Sequence, residues 1–146
     1  MIHGLDTSFL VAVEIAEHAC HAEARRMLDE FLDRGDRFAL APQILAEFVH
    51  ALTDPRRFQV PLTMEAALRH SGKWWNAGEV DQTMPTDDAL SRFHEWMLRH
   101  GLGRKRVLDT MLAATCRSAG ITSLLTLNAH DFTVFGEFTC LGPLPV

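Results

Sequence analysis

The stretch "VLDTMLAATCRSAGITSLLTLNAHDF", Val107 to Phe132, decides the reading of the fold. Up to Gly120 it has helical spacing and is apolar almost all the way round, through Val107, Leu108, Met111, Leu112, Ala113, Ala114 and Cys116. "ITSLLTL" is then a short apolar run without alternation, the pattern of a strand covered on both faces in a parallel sheet. "NAHDF" reads as the loop beyond that strand's end. One residue is out of place. Asp109 sits in a helix built to be buried, and an ionised carboxylate in a core is costly unless it is paired.

Working outward, the rest of the chain repeats the strand–helix alternation. "MIHGLD" is a first strand ending at Asp6, and "TSFLVAVEIAEH" follows as a helix that Asp6, Thr7 or Ser8 can cap. His21 to Arg34 is amphipathic and stops at Gly35. "RFALA" is a brief strand, after which Pro42 opens the apolar helix "PQILAEFVHALT" in the position that favours proline. "DPRRF" is turn-like. "PLTMEAALRHSGKWWNAG" is helical, with Thr63 as its cap and Gly78 near its stop. "EVDQTMP" is a weak strand, and "TDDALSRFHEWMLRHG" is a helix with Leu90, Phe93 and Met97 on its inner face. "EFTCLGPLPV" holds a last short strand before a proline-rich tail. The expectation is one α/β domain over residues 1–146, an α/β/α sandwich around a mostly parallel sheet.

Composition narrows the classes. The 146 residues are 47% hydrophobic and 23% charged, as in ordinary globular chains. No apolar run reaches the length of a membrane helix, and the N-terminus shows no secretory signal, so the expected location is the cytoplasm with no membrane partner. Three scattered cysteines, Cys20, Cys116 and Cys140, indicate neither a disulfide framework nor a cysteine zinc site. A net charge of -5 advertises no nucleic-acid partner, yet Arg25-Arg26, Arg56-Arg57 and Arg104-Lys105-Arg106 are local basic runs. "EIAEHACHAE" places Glu14, His18 and His21 on one face if the helix continues, but a solvated face is the better reading of it. Trp74, Trp75 and Trp96 can stack bases, with core or dimer packing preferred.

Asp109 has a companion in Glu47, set among Ile44, Leu45, Phe48, Val49 and Ala51. Asp6 and the Asn128–Asp131 loop both fall at carboxyl ends of expected strands, where parallel sheets gather function. Each acid alone has a plain structural role, as a cap, a helix-dipole partner or half of an ion pair. Carboxylates that face one another, however, repel unless cations fill the space, and hard oxygen donors select Mg²⁺ or Mn²⁺ over zinc.

"LDTSFL", "LAEFVHALTDPRRF" and "VLDTMLAATCRSAGITSLLTLNAHDF", taken in order and spacing, resemble PIN-domain proteins, and more narrowly the VapC toxins of bacterial toxin–antitoxin pairs. The resemblance implies a metal-dependent endoribonuclease with an acidic pocket that binds one or two Mg²⁺ or Mn²⁺ ions. It puts the acidic positions on Asp6, Glu47 and Asp109. Many members carry an aspartate where this chain has Asn128, and Asp131 follows three residues later. The implied direct metal ligands are Asp6 and Asp109, with Glu47 and Asp131 acting directly or through water, and Thr7, Thr126 and Asn128 in support. Arg104, Lys105 and Arg106 are candidates for RNA contact. The implied partners are an RNA substrate, a cognate VapB-like antitoxin and a second copy in a homodimer, for which Phe58, Trp74 and Trp75 offer apolar surface. Two other classes are weighed. A phosphotransferase with an aspartate nucleophile lacks its early Asp-x-Asp, since Thr7 and Ser8 follow Asp6. A non-catalytic PIN-like RNA-binding or scaffold module is the alternative: Asp6, Glu47 and Asp109 argue against it, and Asn128 in place of an aspartate keeps it open.

Overall fold

The structure is a computed structural model and describes residues 1–144. The last two residues of the expected proline-rich tail lie outside the described residues. Five strands form one sheet, β1 (Ile2–Leu5), β2 (Arg37–Leu40), β3 (Val80–Gln82), β4 (Ser123–Leu125) and β5 (Thr139–Leu141), in the order β3-β2-β1-β4-β5. Every pairing is parallel, so "mostly parallel" becomes wholly parallel among the described residues. Seven α-helices connect them: α1 (Thr7–Glu14), α2 (His21–Asp33), α3 (Pro42–Leu52), α4 (Met64–Trp75), α5 (Asp87–Arg99), α6 (Val107–Ser118) and α7 (His130–Thr133).

The strand order sets the position of everything else. The chain steps outward from β1 to β2 to β3, then returns across the sheet to β4 and β5 on the other side of β1. Right-handed crossovers then put the α1–α4 helices on one face and α5 and α6 on the other. The contacts sort the same way, α1 against α2 and α3, α3 against α4, and α5 against α6. The direction of travel reverses between β1 and β4, and a crevice opens there at the carboxyl edge.

Local signals explain several helix ends. The Thr63 and Thr86 hydroxyls cap α4 and α5 by accepting from the Ala66 and Ala89 N–H groups at 3.1 and 3.2 Å. Pro42 opens α3, and Gly35 leaves α2 with φ +76°, a conformation that favours glycine.

Several expectations change. α1 stops at Glu14, so Glu14, His18 and His21 do not share a helix face. Glu14 pairs instead with His70 at 3.0 Å and accepts from the Trp74 indole at 2.8 Å. "NAHDF" is not a plain loop, because buried Phe132 draws His130–Thr133 into a helical turn. The inner face of α5 is shifted from the expected one: Phe93 packs against the core as expected, but Leu90 gives way to Ala89 and Trp96. Ala89 and Trp96 are buried and Leu90 is exposed, because the Trp96 ring stacks on Phe135 at 4.6 Å. Trp96 is therefore core, not a base-stacking surface. Phe58 is buried in its own chain, and Trp74 and Trp75 pack half-buried against the core, which weakens their claim as dimer surface.

Candidate functional site: an acidic crevice at the carboxyl edge

The N-terminal ends of α1, α3 and α6 all reach the carboxyl edge of the sheet. A helix that follows a strand starts there, and α6 starts there because it runs back toward the start of β4. Helix N-termini carry partial positive charge, which favours acids in their first turns. Asp6 precedes α1, and Asp109 lies in the first turn of α6.

Asp6 is the fixed point. It is only 5% exposed and sits directly after β1, with its N–H donating to the Leu125 carbonyl of β4 at 3.1 Å. Its position is the N-cap of α1, but its side chain does not cap that helix. Oδ2 instead accepts from the Ser8 hydroxyl at 2.6 Å and the Thr126 hydroxyl at 2.7 Å. Those hydroxyls are tied to the next loop in turn. Ser8 Oγ accepts from the Leu127 N–H and Thr126 Oγ1 from the Asn128 N–H, both at 3.0 Å. The switch between β1 and β4 is thus stitched through one carboxylate oxygen, and Oδ1 accepts no hydrogen bond among the described residues.

The other acids are half-buried, not sealed in as their apolar helices suggest. The first turn of α6 is partly open, with Leu108 55% exposed and Asp109 half-buried, while Thr110 and the run from Leu112 to Cys116 are buried. Glu47 accepts from the Thr7 hydroxyl at 3.3 Å. Burial and the negative charges of Asp6 and Asp109 push the Glu47 carboxyl up to about 7. Burial and the charges of Asp6 and Asp131 push Asp109 up to about 6, against a smaller opposing pull from Arg106. The structure therefore brings Glu47 within electrostatic reach of Asp6 and Asp109, and Asp109 within reach of Asp6 and Asp131.

The basic run divides. Arg104 and Lys105 are exposed on a 3₁₀ turn, Arg104–Arg106, just before α6. Arg106 turns inward. Its guanidinium lies between Asp109, at 3.9 Å, and Asp131, at 3.8 Å, and donates to the Asp131 carbonyl. Its Nε is buried without a hydrogen-bond partner. Arg106 is thus an internal countercharge, not the free phosphate contact that its exposed neighbours offer. His130 is exposed and pairs with Asp131 at 3.1 Å. Sequence reading missed this role of Arg106 and the central place of Ser8. Only the spacing of Arg106 to Asp109, three residues on a helix, gave a signal for the first.

The donor set fits a hard divalent cation. It is all oxygen, carries several negative charges and is rigid at Asp6. Among the described residues no three Asp, Glu, His or Cys side chains form a ready-made cage. Mg²⁺ seldom asks for one, since it usually keeps several waters and takes one or two carboxylates. A pH prediction follows from the raised pKa values. The folded protein holds protons that the unfolded chain has already released, so stability without divalent ions falls as pH rises from the ordinary carboxyl range to about 7. Thermal melts in EDTA are expected to show a lower Tm at about pH 8 than at about pH 5, with millimolar Mg²⁺ or Mn²⁺ closing the gap at the higher pH. A Tm that rises with pH in EDTA would contradict this electrostatic picture.

A five-stranded parallel sheet with acids gathered at the β1–β4 switch defines a class, and comparison with known proteins names it. The PIN domain family model matches residues 5–136, so the chain belongs to the PIN domain family. Solved structures share the fold over nearly the whole chain. Mycobacterium tuberculosis VapC20, described as a Sarcin-Ricin loop cleaving toxin, is 22% identical with a TM-score of 0.73, over 95% of this chain and 97% of that one. VapBC-1 from nontypeable Haemophilus influenzae is 18% identical with a TM-score of 0.66, over 97% and 98%. A toxin–antitoxin complex from Klebsiella pneumoniae is 15% identical with a TM-score of 0.64, over 99% of each chain. A sequence search of curated proteins finds no match.

Proposed function

We propose that this chain is the toxin of a VapBC-like type II toxin–antitoxin pair, a Mg²⁺- or Mn²⁺-dependent endoribonuclease that hydrolyses RNA phosphodiester bonds in the cytoplasm. The observation that carries the reading is the buried Asp6 carboxylate, held by Ser8 and Thr126 at the topological switch, with Glu47 and Asp109 close enough that its charge raises the pKa of both. Membership of the PIN family and the toxins among the structural relatives support it.

Asp6 and Asp109 would hold the ion, with Glu47 and Asp131 reaching it through water. A divalent cation held there would supply polarisation of the phosphate and a lower pKa for the attacking water. The protein supplies the rest. Ser8 and Thr126 fix the Asp6 carboxylate so that no reorganisation is needed during the reaction. Thr7 orients Glu47. Arg106 balances Asp109 and Asp131 and keeps the acidic rim folded. Arg104 and Lys105 draw in phosphates without reading sequence. No protein nucleophile is required. A VapB-like antitoxin is the expected inhibitor, and a second copy the expected partner in a homodimer.

The test is incubation of the purified chain with total RNA in Mg²⁺, in Mn²⁺ and in EDTA, with the cut ends mapped by sequencing. Discrete cuts that need the cation, and that stop when the product of the adjacent gene is co-purified, are the expected result. RNA left intact with both ions, from a folded preparation, would overturn the proposal.

A further inference from the structure

Two cavities flank the start of α1. One, of about 590 Å³, is bordered by Thr7, Glu47, His50 and Leu108. The other, of about 360 Å³, is bordered by Ser8, Val11, His18, Phe58, Leu127 and Asn128. Arg57 borders both. Thr7 borders the larger and Ser8 the smaller, and these neighbouring residues hold Glu47 and Asp6. A single strand whose phosphate lies over Asp6 would leave the crevice through one cavity and enter it through the other.

The smaller cavity has the chemistry of a base subsite. Its floor is apolar, with Val11 and Phe58 buried and Leu127 half-buried. Its rim carries two directed polar groups. His18 Nδ1 accepts from the Cys20 N–H at 3.0 Å, so the imidazole proton sits on Nε2. Partial burial and the neighbouring charges of His21 and Arg57 lower the His18 pKa, which keeps the ring neutral and able to stack. The Asn128 backbone is fixed by Thr126, while its side chain is exposed and its amide has no partner among the described residues. An amide offers both a donor and an acceptor to a base edge.

Arg57 differs from its neighbour. The Arg56 guanidinium is tied to Asp54. Arg57 is exposed, borders both cavities and carries a guanidinium without an ion pair among the described residues.

We propose that the smaller cavity seats the nucleobase next to the scissile phosphate of single-stranded RNA, with the His18 Nε2–H and the Asn128 amide reading its edge and Arg57 holding the adjoining phosphate. Unstacked bases are recognised in this way, by stacking and by hydrogen bonds to their edges. This assignment rests on the ribonuclease reading above and adds the place where base preference is set. Asn128 then has a use that an aspartate would not serve, because a carboxylate offers no donor and would repel the phosphate.

The experiment uses the full chain with an RNA library randomised over a short window, with cut ends sequenced, and hexanucleotides rA6, rC6, rG6 and rU6 for binding by fluorescence anisotropy in EDTA. Asn128→Ala and His18→Phe are expected to change base preference at one position beside the cut and leave the other positions unaltered. Arg57→Ala is expected to lower kcat/KM about tenfold, mainly through KM, without changing preference. Arg69→Ala, on α4 and paired with Glu65, controls for net charge and is expected to change neither. Wild-type cutting with all three site variants unchanged in preference and KM would overturn the subsite and leave the ribonuclease reading intact. If the wild type does not cut at all, the ribonuclease reading fails, and anisotropy decides the subsite. Hexanucleotide binding weakened about tenfold by Arg57→Ala supports it, and equal binding or none overturns it.

Discussion

Asp6→Asn is expected to lower RNA cleavage by on the order of a hundredfold or more while leaving the far-UV circular dichroism unchanged. The amide oxygen of Asn can still accept from the Ser8 and Thr126 hydroxyls, which hold the native carboxylate at 2.6 and 2.7 Å, so the link between β1 and β4 survives. What is lost is the negative charge at the most rigid point of the crevice, where a cation would be held and a phosphate placed. The stability change separates charge from fold. Asp6 is among the causes that raise both Glu47 and Asp109, so its neutralisation relieves repulsion. The Tm of the variant without divalent ions is therefore expected to equal or exceed that of the wild type. Asp109→Asn is expected to behave in the same direction. Full activity of either variant in Mg²⁺ would remove these residues from the mechanism.

Gly142→Ala is expected to be the most damaging small substitution outside the acids. A Cβ at Gly142 would lie 2.0 Å from the Thr126 carbonyl oxygen and 3.0 Å from its carbon. Those are backbone atoms of the segment that follows β4, so no side-chain rotation relieves the clash. The β5 edge must move, and with it the Thr126 N–H bond to the Leu141 carbonyl at 2.9 Å. Overpacking of this kind costs about 1–3 kcal/mol. For a domain of this size that is a fall in Tm of roughly 2–12 °C. Thr126 also holds Asp6, so cleavage is expected to drop with the Tm. Gly78→Ala makes the contrast, because nothing lies within 4 Å of its added Cβ. Calorimetry of the two variants checks the contrast, and an unchanged Tm for Gly142→Ala would show that the edge yields freely.

The family and the α/β class were legible from residues because each rests on local chemistry. "ITSLLTL" reads as a strand covered on both faces because it is apolar without alternation, and β4 is buried throughout between β1 and β5. Pro42, Thr63 and Gly35 mark helix ends through dihedral preference or a hydroxyl's reach, which act over a few residues. The acids were legible as anomalies, since Glu47 and Asp109 break otherwise apolar helices.

Only the tertiary structure decided what those anomalies face. Helical spacing gives a face but not its neighbour, so α6 read as buried all round when its first turn opens on the crevice. Arg106 belonged by sequence to an exposed basic run, and it turns inward because two carboxylates from separate segments, Asp109 and Asp131, meet beside it. Ser8 and Thr126 are 118 residues apart and share Asp6 solely because β1 and β4 are neighbours. The sequence by itself determined which side chains carry charge and which segments become strands and helices, since those are local properties. The strand order determined which charges meet, because parallel pairing brings distant segments to one edge, and repulsion or pairing then acts on whatever arrives there.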